Sequence, residues 1–258
     1  MASADEILSI VAAALYLLLL GQFVVRFALS RWWTYLFIAF FCIIRVVAFV
    51  LRAYIDSDAV EYLSNQWISI YIAEVTLISA GVIFILLVLT HLYQSILPKL
   101  RHQNGHSPNM FETTLVNHTR LIMMPIIILV IIGAVFSTPG HSESLQNTGL
   151  ILRKVAVLSL LVVGLMFLYA ACDFRNLYVE NQKPFNTTLS VTTLFVVSLV
   201  YKITYTFSPD VENTTWAFFV FSPLLELVAL YLLVGNLQTL FLGREEDNIL
   251  KDEESELK

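Results

Sequence analysis

Charge is scarce in this chain. Asp, Glu, Lys and Arg make up 14% of its 258 residues, against about 25% in an ordinary soluble domain. Hydrophobic residues make up 58% and mean hydropathy is +0.76, more apolar surface than a water-soluble fold of this size could hide. Cysteine is nearly absent: Cys42 and Cys172 both fall inside apolar runs, which excludes a disulfide framework on outer loops and predicts a reduced pair packed as small hydrophobes. Histidine is missing from the centres of those runs. The five imidazoles, at positions 91, 102, 106, 118 and 141, are expected in loops or at helix ends, which argues against a metal or haem held across a bilayer. A Gly-rich phosphate loop, a nucleophile elbow and a basic nucleic-acid stripe are lacking, and neither cysteine has an activating neighbour. The expectation is therefore a non-enzymatic protein with no cofactor, no metal and no nucleic-acid partner. Apolar runs of about ten alternating residues, the mark of a membrane barrel, are also missing.

Long apolar runs are what the chain does have. Seven of them, Ile7–Val25, Trp32–Leu51, Trp67–Thr90, Leu121–Phe136, Val155–Cys172, Leu189–Phe207 and Trp216–Leu242, approach the roughly 20 residues that cross a bilayer. The fourth is short and would borrow His118 to Arg120, with Arg120 snorkelling to the interface. The expected fold is all-α, a polytopic bundle of seven transmembrane helices over residues 1–243 with a charged, disordered cytoplasmic tail over 244–258. Lys and Arg cluster in the first, third and fifth loops and at the C-terminus, whereas the opposite side has Arg52, Arg153 and Lys154. The positive-inside rule then places the C-terminus in the cytoplasm and the N-terminus outside. Met1 to Glu6 carries no cation, so the first run reads as a retained span rather than a cleaved signal. The membrane itself is the first partner; plasma membrane, vacuole and endoplasmic reticulum are not separated by sequence. Of the sequons at Asn117, Asn186 and Asn213, only Asn213 would face the glycosylation machinery. The longest connection, Pro98 to Val116, has the composition of a polar turn region.

A few charges interrupt the runs, chiefly Arg45, Glu74, Lys202 and Glu226. An unpaired ion at the bilayer centre costs about 2.5–3.5 kcal/mol on insertion scales, so these groups should face inward and pair. Helical rise places all four in the outer half of the bundle. Arg45 with Glu74 is the first expected pair and Lys202 with Glu226 the second. Trp67, Tyr71, Glu74, Ile78 and Gly81 share one helical face, as do Ser198, Lys202 and Tyr205. Tyr71 and Tyr205 thus join the charges in a cavity expected to bind or move a small amphiphilic or lipid-like molecule. Pro223, one turn before Glu226, should kink the last span and aim the carboxylate inward, and Pro125 interrupts the fourth. A second polar set, Gln22, Gly235-Asn236 and Gln238, lies toward the cytoplasmic half and is expected to form interhelical hydrogen bonds. The alternatives are a seven-helix sensor signalling to a cytoplasmic partner through basic loops, and a scaffold whose ion pairs only fix helix register.

Seven spans with the N-terminus out invite comparison with G-protein-coupled receptors. The third span ends Thr90-His91-Leu92-Tyr93 without the acidic-Arg-aromatic motif, the seventh lacks Asn-Pro-x-x-Tyr, and no lysine stands in it for retinal. The stretch Phe41-Cys42-Ile43-Ile44-Arg45-Val46-Val47 resembles the second-span signature of an uncharacterised fungal family of seven-helix membrane proteins. More distantly, the layout is similar to the fungal lipid-translocating exporter-like family. The resemblance implies a fungal-type membrane protein with Arg45 at a signature position, and it carries over no catalytic residue.

Overall fold

The computed structural model describes residues 3–57, 61–62, 64–104, 110–138, 141–177, 183–208, 215–235 and 237. Among them every regular element is helical: α1 (Ala4–Ser30), α2 (Trp33–Asp56), α3 (Asn65–Asn104), α4 (Met110–Phe136), α5 (Glu143–Leu177), α6 (Lys183–Phe207), α7 (Thr215–Phe219), a π turn (Val220–Leu224) and α8 (Leu225–Leu233). Six helical stretches are long and apolar enough to cross a membrane, with α7, the π turn and α8 together supplying the sixth over Trp216–Leu233. Within α4 the apolar part is the shorter Leu121–Phe136. This is the make-up of a multi-pass membrane protein. Its outer surface agrees, because half or less of each apolar span is buried inside the bundle, and side chains such as Leu18, Leu29 and Leu121 stand fully outward. In water such a continuous apolar surface would be a liability; in lipid it is the matching solvent.

Local sequence sets the helix ends. Ser3 caps α1, its Oγ accepting from the Glu6 N–H at 3.1 Å, with Asp5 and Glu6 in the first turn where the helix dipole favours acids. At the other end Arg31 takes a left-handed conformation (φ 52°) and donates its N–H to the Phe27 carbonyl. The threonines of α6 do not break it, because Thr188, Thr192 and Thr204 each donate to the carbonyl four residues back, which satisfies the hydroxyl inside the helix. Several helices overrun the apolar runs that announce them. Thus α3 continues through Pro98 to Asn104 and α4 starts at Met110, so most of the stretch expected as a polar turn region is helix. Once a span is nucleated, polar residues at its ends extend it at little cost.

Successive helices pack as neighbours: α1 on α2, α2 on α3, α3 on α4, α4 on α5, α5 on α6 and α6 on α8. α3 also reaches α5 and α6, and α1 touches α8, so the order closes around α3. The core is aromatic. Tyr16 stacks on Phe49 at 5.8 Å, and Tyr93 meets Phe167 and Phe174 while donating to the Phe167 carbonyl at 2.7 Å. Of the two cysteines only Cys42 is in this core; Cys172 is free and exposed. His91, expected at a helix end, lies within α3 with its ring 5.0 Å from Phe37. Gln22 is exposed on α1, and of the second polar set Gly235 alone is seen engaged, its carbonyl accepting from Tyr35 at 3.2 Å. Asn236, Gln238, Asn213 and the 244–258 tail lie outside the described residues.

Glycine is needed where α4 and α5 cross. A Cβ on Gly149 would fall 2.6 Å from the Phe136 carbonyl carbon, and one on Gly133 would fall 3.2 Å from the Gly149 carbonyl oxygen. Backbone cannot give way as a flexible side chain can. Gly149→Ala is expected to lower unfolding stability in detergent by about 1–3 kcal/mol. Gly21→Ala, with nothing within 4 Å of the added carbon, should leave it unchanged or slightly raised.

Candidate functional site

The charges form two clusters at different depths. The deeper one centres on Glu226, whose carboxylate is almost sealed from the surface. Its Oε1 accepts from Arg45 Nη2 at 2.5 Å and from Lys202 Nζ at 3.3 Å, while its Oε2 accepts from the Tyr16 hydroxyl at 3.0 Å. Arg45 also donates through Nη1 to the Ile78 carbonyl at 2.9 Å, with its guanidinium 5.1 Å from the Phe41 ring centre. Gly81 makes room for that guanidinium, since a Cβ there would lie 2.9 Å from Arg45 Cζ. One carboxylate therefore ties α1, α2, α6 and α8, and Arg45 extends the tie to α3.

The backbone before Glu226 explains how it reaches that position. Pro223 has no N–H to donate to the turn before it, and its ring would clash with the carbonyl there. The chain answers with the Val220–Leu224 π turn, a widening of the kind often found at functional sites. The Pro223 carbonyl is 3.3 Å from the Tyr16 hydroxyl. Tyr16, which sequence inspection missed, was detectable as a lone hydroxyl in the Ala-Ala-Leu-Tyr-Leu-Leu run of the first span, where a buried tyrosine needs a partner.

The shallower cluster lines a cavity of about 300 Å³. Its charged wall is Arg52, Asp56, Glu74, Arg153 and Lys202. Arg52 Nη1 is 3.5 Å from Glu74 Oε1, and Arg52 Nε is 4.0 Å from Asp56 Oδ2. The Arg52 guanidinium also lies 4.2 Å from the Phe218 ring centre. Aromatic walls come from Trp67, Tyr71, Tyr201 and Tyr205, with Trp67 and Tyr71 stacked at 5.1 Å. These residues come from the C-terminal parts of α2 and α6, the N-terminal parts of α3 and α5, and α7. Antiparallel neighbours bring all of those to one end of the bundle.

Of the expected pairs, Lys202 with Glu226 is present. Arg45 with Glu74 is not: Arg45 pairs with Glu226, and Glu74 pairs with Arg52. The reason is register. Seven residues separate Arg45 from Arg52 along α2, and seven separate Glu74 from Gly81 along α3, so the antiparallel pair aligns Arg52 with Glu74 and Arg45 with Gly81. At 1.5 Å per residue the two levels differ by about 10 Å. The cavity consequently keeps Glu74, Lys202, Tyr71 and Tyr205 of the expected set, whereas Arg45 and Glu226 lie behind its wall. Arg52, expected to mark the end of its span, and Arg153, expected outside the bundle, both take part because α2 runs on to Asp56 and α5 begins ten residues earlier, at Glu143. Among the described charged residues Lys202 belongs to both clusters, as a partner of Glu226 and a lining residue.

Glu226→Gln should lower stability in detergent by about 3–5 kcal/mol, since Arg45 would keep its burial without its counter-ion. The triple replacement Arg45→Met, Lys202→Met and Glu226→Leu should cost less than that single change, because no ion is left stranded. Equal melting of Glu226→Gln and the unaltered protein would show that the carboxylate does not tie the helices. No protein-family model, curated protein or solved structure matches this chain, so the site stands on its own geometry.

Proposed function

We propose that the protein is a seven-span membrane protein, N-terminus out and C-terminus cytoplasmic, that binds or translocates a small amphiphilic molecule through the cavity at the end of its bundle. One observation carries this: a cavity of about 300 Å³ at one end of the bundle, whose walls combine aromatic rings with charged side chains from five elements. That volume is at the lower limit of sites that hold drug-sized ligands. Tyrosine and tryptophan suit a ligand with an apolar body and a polar end, because each ring offers both. In this reading the Phe41–Val47 stretch, which resembles the second-span signature of a fungal family of seven-helix membrane proteins, belongs to a fungal-type protein of the plasma membrane or an endomembrane. The task is recognition or passage rather than bond chemistry.

A scaffold role has its own support in the Arg45–Glu226 pair, which is sealed, bonded and tied to five helical elements. The two roles divide between the clusters: the sealed one holds the bundle and the open one receives the ligand. A sensor that passes occupancy to a cytoplasmic partner would use the same cavity, and it differs from a transporter in moving nothing across pure lipid vesicles.

Radiolabelled octyl amphiphiles of neutral, anionic and cationic type should show saturable binding to the protein in nanodiscs above that of empty nanodiscs. The double variant Tyr71→Ala and Tyr205→Ala should weaken it about tenfold, the effect of losing roughly 1.4 kcal/mol of ring contact. Absence of saturable binding for every probe would remove the cavity from the protein's function. Movement of the bound probe across protein-only vesicles separates transport from sensing.

A further inference from the structure

We infer that the cavity takes an amphiphile with a single negative charge on its head group, such as a monocarboxylate, and that Arg153 and Lys202 receive it. The inference rests on the binding role proposed above and narrows its ligand to one charge class.

Charge balance is the first support. The two clusters together contain Arg45, Arg52, Arg153 and Lys202 against Asp56, Glu74 and Glu226, an excess of one cation. In a low-dielectric region an uncompensated charge is costly, and the site lowers that cost by taking up one anion. The excess is that of the wall and of the carboxylate behind it; Asp5 and Glu6, whose charges reach Asp56, do not line the cavity, and the Lys154 ammonium lies 5.0 Å from the Phe207 ring centre.

The distribution of partners says where the anion goes. Both lining carboxylates are ion-paired with Arg52, Glu74 at 3.5 Å and Asp56 at 4.0 Å, the second without a hydrogen bond. Arg153 has no ion pair among the described residues; its Nη1 is 3.5 Å from the Ser137 hydroxyl, a marginal contact for a guanidinium. Its stem is held against Gly133, where a Cβ would lie 2.9 Å from Arg153 Cγ, so the side chain has a built seat. Lys202 shares Glu226 with Arg45 and is the longer of the two contacts at 3.3 Å. Tyr201, which also lines the cavity, has a buried hydroxyl that finds no hydrogen-bond partner among the described residues. A donor of that kind is expensive to leave unused. A carboxylate head would accept from Arg153, Lys202 and Tyr201 together, and its short apolar chain would lie against the aromatic side.

Lys202 gives the site a second consequence. A head group that draws its ammonium away leaves Glu226 to Arg45 and Tyr16 alone, just after the π turn, so occupancy is felt by the helix-tying cluster.

Calorimetric titration of the protein in nanodiscs, with empty nanodiscs subtracted, compares octanoate, octanamide, octyl phosphate and octyltrimethylammonium. Octanoate is expected to bind at least about tenfold tighter than octanamide, the size of one charge-assisted hydrogen bond. Arg153→Gln should remove that preference and leave octanamide within about twofold, whereas Arg153→Lys should keep part of it. Equal binding of octanoate and octanamide, tighter binding of the phosphate at a pH where it is a dianion, or a preference for the cation would each overturn the single-anion assignment while leaving an amphiphile site in place. Failure of all four probes overturns both. Should Arg153→Gln not fold, Tyr201→Phe serves instead, with a loss of a few-fold confined to octanoate.

Discussion

A carboxylate shared by two cations and a phenol holds this bundle together. Glu226 meets Arg45, Lys202 and Tyr16 at hydrogen-bond distance, with its carboxylate and the Arg45 guanidinium almost closed off from the surface. In such surroundings the energy lies less in the pair itself than in the cost of separating it, because each freed ion would remain buried. The apolar surfaces of the spans do not distinguish one rotation from another, since lipid is as good a neighbour as leucine. Directional contacts supply what greasy surfaces cannot. Gly81 beside Arg45 and the π turn at Pro223 are the local adjustments that let the ions meet.

Two clusters, about two helical turns apart in level, then divide the labour. The deeper one is closed: Arg45 is 1% exposed and bonded to a carboxylate and a backbone carbonyl. The shallower one is looser, with Arg52 and Glu74 at 3.5 Å around open space. Coulomb attraction at such separations is about 4 kcal/mol near a protein surface and weaker where water enters. A pair of that strength can exchange partners with a ligand, whereas a sealed pair cannot without a large penalty. Lys202 stands between the two regimes, paired with Glu226 on one side and lining the cavity on the other.

Much of this was legible from residues alone. The apolar runs locate the spans because nothing but lipid can be the solvent for so continuous an apolar surface. Lys202 with Glu226 was legible because few partners were available so near the same end. The Arg45–Glu74 expectation failed on rotation and register: both residues were rightly placed inside spans, yet the extension of α2 to Asp56 brought Arg52 level with Glu74. Arg153 was overlooked for the same reason, because α5 starts well before its apolar run. Tyr16 gave a signal that went unused. A buried tyrosine within a leucine-rich run calls for an acceptor, and here the acceptor lies on a neighbouring helix.

What the sequence determined by itself is the all-helical, membrane-type character of the chain and the short roster of buried ions, since both follow from hydropathy and from the cost of charge in lipid. Which ions meet, which helix faces which, and where a cavity remains open were decided only in the folded bundle. Those outcomes depend on the relative rotation and axial offset of helices far apart in the chain. A shift of one residue turns a side chain by about 100°, and no local pattern of residues specifies that angle.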